Sequence, residues 1–259
     1  MGSAGAAGIT DRLGAEDPML RVPVPQIKLF SGDVIAPLPE GARGPSDDPR
    51  DLEGIWASIG QPLSADGKPP PFTPAVQALQ QRQRTQEASG APAVTKGTLC
   101  RPPGVVAVSG NQFPTQIIQR PEKIVIIAEE NRGIWPIYMN SAHPRTVKPA
   151  YVGHSVGHWD GDTLVIDSAG FKSRDIGLFG FAHSEDAHVV TRIRRARTAK
   201  SANGNGDRLI VSRTIEDPQI YERTYTATNV ARWRPDLQML EFNCEESTDD
   251  LTSAGLVVE

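Results

Sequence analysis

The sequence predicts a mainly β protein, an antiparallel up-and-down β-barrel of about eight to ten strands with one short helix. From residue 104 onward, apolar and polar residues alternate with a period of two, which is typical of strands with one buried face. Short turn sequences such as RPEK, NRG and NGNGD separate these runs. Consecutive strands are therefore expected to pair as hairpins and to close into a barrel, which leaves no sheet edge exposed.

The expected strands are short and follow one another closely. They are DLEGIWASIG, GVVAVSG, PTQIIQR, KIVIIAEE, GIWPIYM, the hairpin YVGHSVGHWDGDTLVIDSAGF, HVVTRIRRAR, DRLIVSRTI, YERTYTATNVARW and QMLEFNCEE. The one convincing helix lies near residues 73–88, with Thr73 as N-cap, Pro74 at the first helical position, and Val76 and Leu79 on one face.

Three parts of the chain are distinguished by composition. Fifteen of the 22 prolines precede residue 104, and residues 1–50 are predicted to form an extended arm. The arm is expected to pack outside the barrel, because its apolar residues are costly to leave in water; a partly disordered leader is the alternative. Residues 51–250 are expected to form a single barrel domain, and residues 251–259 a C-terminal tail.

Composition limits the partners. The formal net charge is -4 and 22% of the residues are charged, so nothing favours binding to nucleic acid. No apolar run approaches the roughly 20 residues that span a bilayer, so no membrane span is expected. The basic run TRIRRARTAK is interpreted as a solvated strand face. Cys100 and Cys244 are the only cysteines, and they allow either one disulfide or two free thiols.

The hairpin carries the leading candidate residues. Asp160 and Gly161 form a DG dipeptide, a strong signal for a two-residue turn, and this loop places His154 opposite Asp167. A carboxylate beside an imidazole sets its tautomer and raises its basicity, as a general base requires. We therefore expect His154 and Asp167 to be catalytic. The alternative is a structural hydrogen bond between the two strands.

All five histidines lie between residues 143 and 188: His143, His154, His158, His183 and His188. A zinc site would combine His154 and His158 with a histidine of the next strand. Residues four apart on a strand are about 13 Å apart, too far to share one ion, so no metal is expected. No cofactor-binding motif occurs either.

Further candidates are placed by loops and aromatic residues. His183 and Glu185 lie where a loop re-enters the sheet, so either is a candidate general acid; a simple capping turn is the alternative. The predicted substrate-binding residues are Trp135, Tyr138, Tyr151, His158, Phe171 and His188. Most aromatic residues in strands belong to the core, and that is the alternative for this set.

The string GHSVGHWDGDTLVIDSAGF, followed by HSEDAHVVTRIRR and LEFNCEES, resembles a large group of bacterial proteins. Their signature is G-H-S-V-G-x-W-x-G-D-T-L-V-V-D-T-x-G-F, and they are mostly hypothetical and often exported. The resemblance runs from DLEGIW near residue 51 to CEE near residue 246. Members often carry Arg in place of His158, which leaves His154, Asp162 and Asp167 as the matched polar positions.

This resemblance implies export, and with it a disulfide between Cys100 and Cys244. The location is then periplasmic or secreted if a leader has been removed, and cytoplasmic otherwise. More loosely, Gly54 and Trp56 in GIW are similar to the G-x-W that opens lipocalin strands, so the barrel is expected to be lipocalin-like in shape.

Together these features predict a cofactor-free lyase or isomerase acting on a small, largely apolar molecule, aromatic or terpenoid-like, bound inside the barrel. His154 would be the base, Asp167 would orient it, and His183 or Glu185 would be the acid. The alternative is a periplasmic binding or carrier protein without catalysis, and a structural role in the cell envelope is a third hypothesis. The expected partner is a small molecule; the oligomeric state stays open, with a homo-oligomer as one option.

Overall fold

The computed structural model describes residues 46–64, 66–91, 104–105, 113–172, 175–176, 182–197 and 207–240. These residues contain helix α1 (Pro74–Ala88) and eleven strands: β1 (Gly54–Ser64), β2 (Thr115–Gln119), β3 (Lys123–Ala128), β4 (Gly133–Met139), β5 (His154–Asp160), β6 (Thr163–Ala169), β7 (Asp175–Ile176), β8 (Ala182–His183), β9 (His188–Arg197), β10 (Asp207–Glu216) and β11 (Tyr225–Trp233).

Nine of these strands form a closed barrel in the order β1-β11-β10-β9-β6-β5-β4-β3-β2, and β7 and β8 form a separate pair. The predicted mainly β fold, closed barrel and single helix are thus confirmed for the described residues. Residues 106–110 of the predicted strand GVVAVSG and most of QMLEFNCEE lie outside the described residues, as do the first 45 residues and the C-terminal tail. Gly104 and Val105 of GVVAVSG are described and are not in a strand. Residues 238–240 of QMLEFNCEE are described and are not a strand.

One pair of barrel strands departs from the predicted antiparallel meander. β4 and β5 run parallel, with Ile137 beside Ser155 and Tyr138 beside Val156. In a ring of nine strands, neighbours cannot all alternate in direction, so at least one pair has to be parallel. Residues 140–153 make the crossover that a parallel pair needs, and their number matches the dozen or so residues that such a connection requires.

Side chains inside the barrel are closely packed. Alternate residues of each strand point inward, and the largest fully buried apolar side chains include Ile117, Ile124, Ile126, Trp135, Ile137, Leu164, Ile166, Ile193 and Ile215. Among them lies one guanidinium: Arg213 is fully buried and donates from Nη1 to Oδ1 of Asn229 (2.6 Å). Burial lowers the pKa of Arg213 to about 9, because the charged form loses its hydration.

A second buried arginine ties the segment before β1 to the barrel. Arg195 donates to Oδ2 of Asp207 and to the backbone carbonyls of Ser46, Asp48 and Asp51. The interpretation of TRIRRARTAK as a solvated face is therefore wrong for part of the run. Arg192 is exposed, whereas Arg194 and Arg195 are buried.

Helix α1 begins at Pro74 with Thr73 as its N-cap residue, as predicted. The Thr73 side chain makes no capping hydrogen bond; its hydroxyl lies 3.4 Å from the Gln219 carbonyl oxygen. Val76 and Gln80 are the buried helix residues. Among the described residues, no helix is long and apolar enough to cross a membrane.

Candidate acid–base site

Four titratable side chains meet on the outer face of the barrel. His154 opens β5, Asp167 lies near the end of β6, and His188 opens β9. These strands are antiparallel neighbours, so the starts of β5 and β9 and the end of β6 lie at one end of the barrel. The fourth side chain, His143, comes from the crossover between β4 and β5.

The crossover is positioned against the β5–β6 hairpin by two glycines. The Ala150 N–H donates to the Gly170 carbonyl oxygen (3.2 Å). Gly170 has φ +74°, and a Cβ added there would clash with Val147. Gly153 has φ +62°, and its Cβ would lie 2.5 Å from a backbone oxygen of β6. Since glycine alone fits such positions without strain, both glycines help to place the segment that carries His143.

His143 connects His154 to Asp167. Nδ1 of His143 lies 2.9 Å from Nδ1 of His154, and Nε2 of His143 lies 3.1 Å from Oδ1 of Asp167. Nε2 of His188 lies 3.0 Å from the same carboxylate oxygen. One carboxylate therefore contacts two histidines, and through one of them it is linked to His154.

These hydrogen bonds determine where the protons lie when the histidines are neutral. An ionised carboxylate can only accept, so Nε2 of His143 donates to Asp167. The lone pair of His143 is then on Nδ1, which accepts from Nδ1–H of His154. As a consequence, His154 carries its own lone pair on Nε2. The chain of hydrogen bonds thus selects the tautomer in which Nε2 of His154 is the basic atom.

The surroundings of His154 favour its neutral form. Partial burial, and then the charge of His143, lower the pKa of His154 below its ordinary value of 6.5. The His154 ring stacks on Tyr138, with 5.2 Å between ring centroids and 13° between planes. Nζ of Lys123 lies 5.1 Å from the centre of the Tyr138 ring. A neutral base, an aromatic wall and a cation are therefore adjacent.

His188 lies between two carboxylates. Its Nε2 contacts Asp167, and its Nδ1 lies 3.9 Å from Oε2 of Glu216, the residue with which it pairs on β10. The side chains of His188 and Asp167 are 42% and 43% exposed, so solvent reaches both. By donating to Asp167, His188 helps to hold the orientation of the carboxylate that contacts His143.

The predicted register of the hairpin is wrong by two residues. The loop is residues 161–162 rather than 160–161, so His154 pairs with Ala169 instead of Asp167. Gly161 has φ +56°, whereas Asp162 does not have positive φ. This matches a turn with glycine at its first central position rather than one that needs positive φ at both. Because the shift is even, His154 and Asp167 still share a face, and His143 bridges them.

The shared face of His154 and Asp167 looks outward. The opposite face supplies the barrel interior, where Ser155 and Ser168 are buried with their hydroxyl oxygens 2.7 Å apart. Nε1 of Trp135 donates to the Ser155 hydroxyl (2.7 Å). A molecule inside the barrel would contact these side chains and not His154.

Free space inside the barrel is small where the structure describes its lining. One interior cavity, lined by residues that include Trp56, Thr115, Ile193 and Leu209, has a volume of about 10 Å³. This volume holds about one water molecule. The larger ligand space expected from the strand number is taken up by side chains here.

Neither of the two candidate general acids, His183 and Glu185, belongs to the outer-face cluster around His154. His183 is buried; its ring lies 4.9 Å from that of Phe171, and its Nδ1 is 3.1 Å from the Ser184 carbonyl oxygen. This burial makes His183 unsuited to act on a molecule at the outer face. Glu185 is exposed in the turn before β9.

The predicted substrate-binding residues are divided between the two faces. Tyr138 and His188 belong to the outer cluster, and His158 is exposed further along β5. Trp135 and Phe171 are buried in the core. Tyr151 lies in the crossover, with Nζ of Lys172 5.2 Å from the centre of its ring.

In the described part of the chain, no group of three or more His, Cys, Asp and Glu residues is arranged to hold a metal ion. Cys100 and Cys244 lie outside the described residues. No protein-family model matches the chain, and no curated protein matches it. The site is therefore interpreted from its own geometry.

Proposed function

We propose that this protein is an acid–base enzyme whose catalytic centre is the outer-face cluster of His154, His143 and Asp167. The reaction is a proton transfer, an isomerisation or elimination, on a small and largely apolar molecule. The observation that carries this proposal is the chain of hydrogen bonds from Asp167 through His143 to His154. A chain of this kind orients a base and gives the proton it takes up a path away from the reacting atom.

In this mechanism Nε2 of His154 removes a proton from the substrate. The resulting imidazolium is stabilised because its Nδ1–H donates to His143, whose Nε2–H donates to Asp167. The lowered pKa of His154 supports the role of base, because the side chain is already neutral near pH 7. The same His154 then returns the proton to another atom of the substrate, or a second group acts as acid.

The catalytic role is favoured over that of a carrier with its ligand inside the barrel. The cavity at the centre of the described interior has room for about one water molecule, whereas ligand pockets usually measure several hundred Å³. A pocket of about 330 Å³ beside Trp159 is open and is lined largely by polar residues, among them Asp48, Asp51, Glu53 and Arg120, so it does not match an enclosed apolar ligand site. The outer cluster, in contrast, is open to solvent and contains two proton acceptors, Nε2 of His154 and the carboxylate of Asp167. For this reason the substrate is placed against Tyr138 on the outside of the barrel.

Deuterium exchange tests the proposal without knowledge of the natural substrate. The protein is incubated in D₂O with small apolar carbonyl compounds that carry an acidic C–H bond, namely 2-tetralone, phenylacetaldehyde and carvone. NMR then measures the incorporation of deuterium. We expect the protein to accelerate exchange of at least one compound, and His154→Gln and Asp167→Asn to reduce the rate about 100-fold.

Asp160→Asn is the matched control, because Asp160 is an exposed carboxylate at the tip of the same hairpin. It should exchange at the rate of the unmodified protein, and all variants should keep the same circular dichroism spectrum. Equal rates in Asp167→Asn, His154→Gln and the control, or no acceleration of any of the three compounds, would contradict the proposal.

A further inference from the structure

The outer face of β3 and β4 is apolar where it adjoins the catalytic cluster. Ile127 pairs with Ile134, and Val125 pairs with Pro136. All four point outward, because they alternate with the buried residues of their strands. We call these four residues the apolar strip. Ile134 is 57% exposed, and Tyr138, two positions beyond Pro136, is 36% exposed. The strip therefore leads directly to the aromatic ring that stacks on His154.

A cation lies at the same end of the strip. Lys123 pairs with Tyr138, is exposed, and holds its Nζ 5.1 Å from the centre of the Tyr138 ring. Lys123 is on β3 and His154 is on β5, so Tyr138 of β4 lies between them. Two strand spacings amount to about 10 Å. A molecule lying across Tyr138 can therefore contact the ammonium group and the imidazole at once.

From this arrangement we propose that the site binds an amphiphilic anion, a carboxylic acid with an apolar body. The carboxylate lies at Lys123, the apolar body covers the strip, and the reacting carbon faces Nε2 of His154. The inference rests on the proposed function and names its substrate class. Charge complementarity selects an acid over an alcohol or an amine, and the continuity of the strip with Tyr138 places the apolar body.

A small molecule fits this surface better than a second copy of the chain. A stable protein interface buries about 800 Å² on each partner. The strip consists of four side chains. Of these, only Ile134 is more than half exposed. Its exposed area is therefore far below that of a dimer interface, but it suffices to cover an alkyl chain or a ring system.

Binding of three probes with the same alkyl chain tests the charge preference. Decanoate, 1-decanol and decylamine are titrated into the full-length protein, below their critical micelle concentrations, and NMR chemical shifts give the affinities. We expect decanoate to bind at least ten-fold more tightly than 1-decanol, and decylamine to bind most weakly. Lys123→Gln should remove the preference for decanoate, whereas Ile134→Ser should weaken decanoate and 1-decanol alike.

A control matches the lysine variant. Lys172→Gln removes a lysine that also lies over a tyrosine ring. It should bind decanoate as the unmodified protein does. Equal affinities for decanoate and 1-decanol, or an unchanged preference in Lys123→Gln, would overturn the inference. So would a dimer, detected by sedimentation, that Ile134→Ser dissociates.

The substrate class and the catalytic role can fail separately. His154→Gln should still bind decanoate, because Lys123 and the apolar strip are intact. Preferential binding of decanoate together with unimpaired deuterium exchange in His154→Gln would support the binding site and contradict the acid–base role. Loss of exchange in His154→Gln without any preference for decanoate would support the acid–base role and contradict the proposed substrate class.

Discussion

The two faces of the β5–β6 hairpin have the same backbone but different chemistry. On the inner face, the Ser155 and Ser168 hydroxyls form a hydrogen bond with each other and are fully buried. On the outer face, His154 and Asp167 are joined through His143 and remain partly open to solvent. The inner polar groups are hydroxyls, which carry no charge, whereas the outer groups are imidazoles and a carboxylate that can exchange protons with a bound molecule.

This difference separates stability from catalysis within one supersecondary unit. Buried hydroxyls with partners stabilise a packed interior, and replacing them costs free energy of unfolding. Partly exposed histidines cost little to replace, and they keep access to a substrate and to solvent protons. Substitutions on the inner face should therefore change stability, and substitutions on the outer face should change proton transfer.

The largest effect is expected for Trp135→Ala. Trp135 is fully buried, and its removal leaves a cavity and takes away one of the two hydrogen-bond partners of the Ser155 hydroxyl, so the free energy of unfolding should fall by about 3–5 kcal/mol. Ile134 directly precedes Trp135 on the same strand but points outward, and Ile134→Ala should cost less than about 1 kcal/mol. Urea denaturation measures both. Similar losses in the two variants would contradict the assignment of inner and outer faces.

The sequence was sufficient to predict the barrel, because the period of two and the turn residues are local signals. Strands such as KIVIIAEE and GIWPIYM occur as β3 and β4. The shared face of His154 and Asp167 was likewise predictable, since alternation depends only on parity. The sequence could not predict whether this face lies inside or outside the barrel, because Val165 on the outside and Leu164 on the inside are equally apolar.

The role of His143 could not be predicted from local pattern. It depends on the parallel pairing of β4 and β5, which follows from closing a ring with nine strands. One sequence signal was available: NSAHPRTVKPAYVG, 14 residues without strand alternation, has the length of a parallel crossover. The buried Arg195 was missed for a related reason, because its burial depends on contacts from the distant residues 46–51.

A smaller loss of stability is expected for Ser155→Ala. The substitution removes the acceptor of the Trp135 indole N–H and the partner of the Ser168 hydroxyl. Since both groups are buried, the free energy of unfolding should fall by about 1–3 kcal/mol. Ser212→Ala on the outer side of β10 is the matched control and should change it by less than about 0.5 kcal/mol. Deuterium exchange by folded Ser155→Ala should stay normal, and a large loss of exchange would show that the two faces are not independent.

The smallest effect, and the one that tests the outer face most directly, is the titration of His154. Burial and the charge of His143 lower its pKa, so its ring resonances should titrate with a midpoint below 6.5. His143→Gln removes the charge but not the burial, so the midpoint should rise and remain below 6.5. Folding favours the deprotonated form of a group whose pKa is lowered, and for histidine that form is the neutral one. The contribution of His154 to the free energy of unfolding is therefore complete above pH 6.5 and is lost as the pH falls through the folded pKa.

The rate of deuterium exchange should decrease over the same pH interval in which His154 gains its proton, because only the neutral imidazole acts as a base. A midpoint above 6.5 would mean that the hydrogen bonds through His143 to Asp167 outweigh burial and stabilise the protonated form at rest. That result would contradict the lowered pKa that supports His154 as a base already neutral near pH 7.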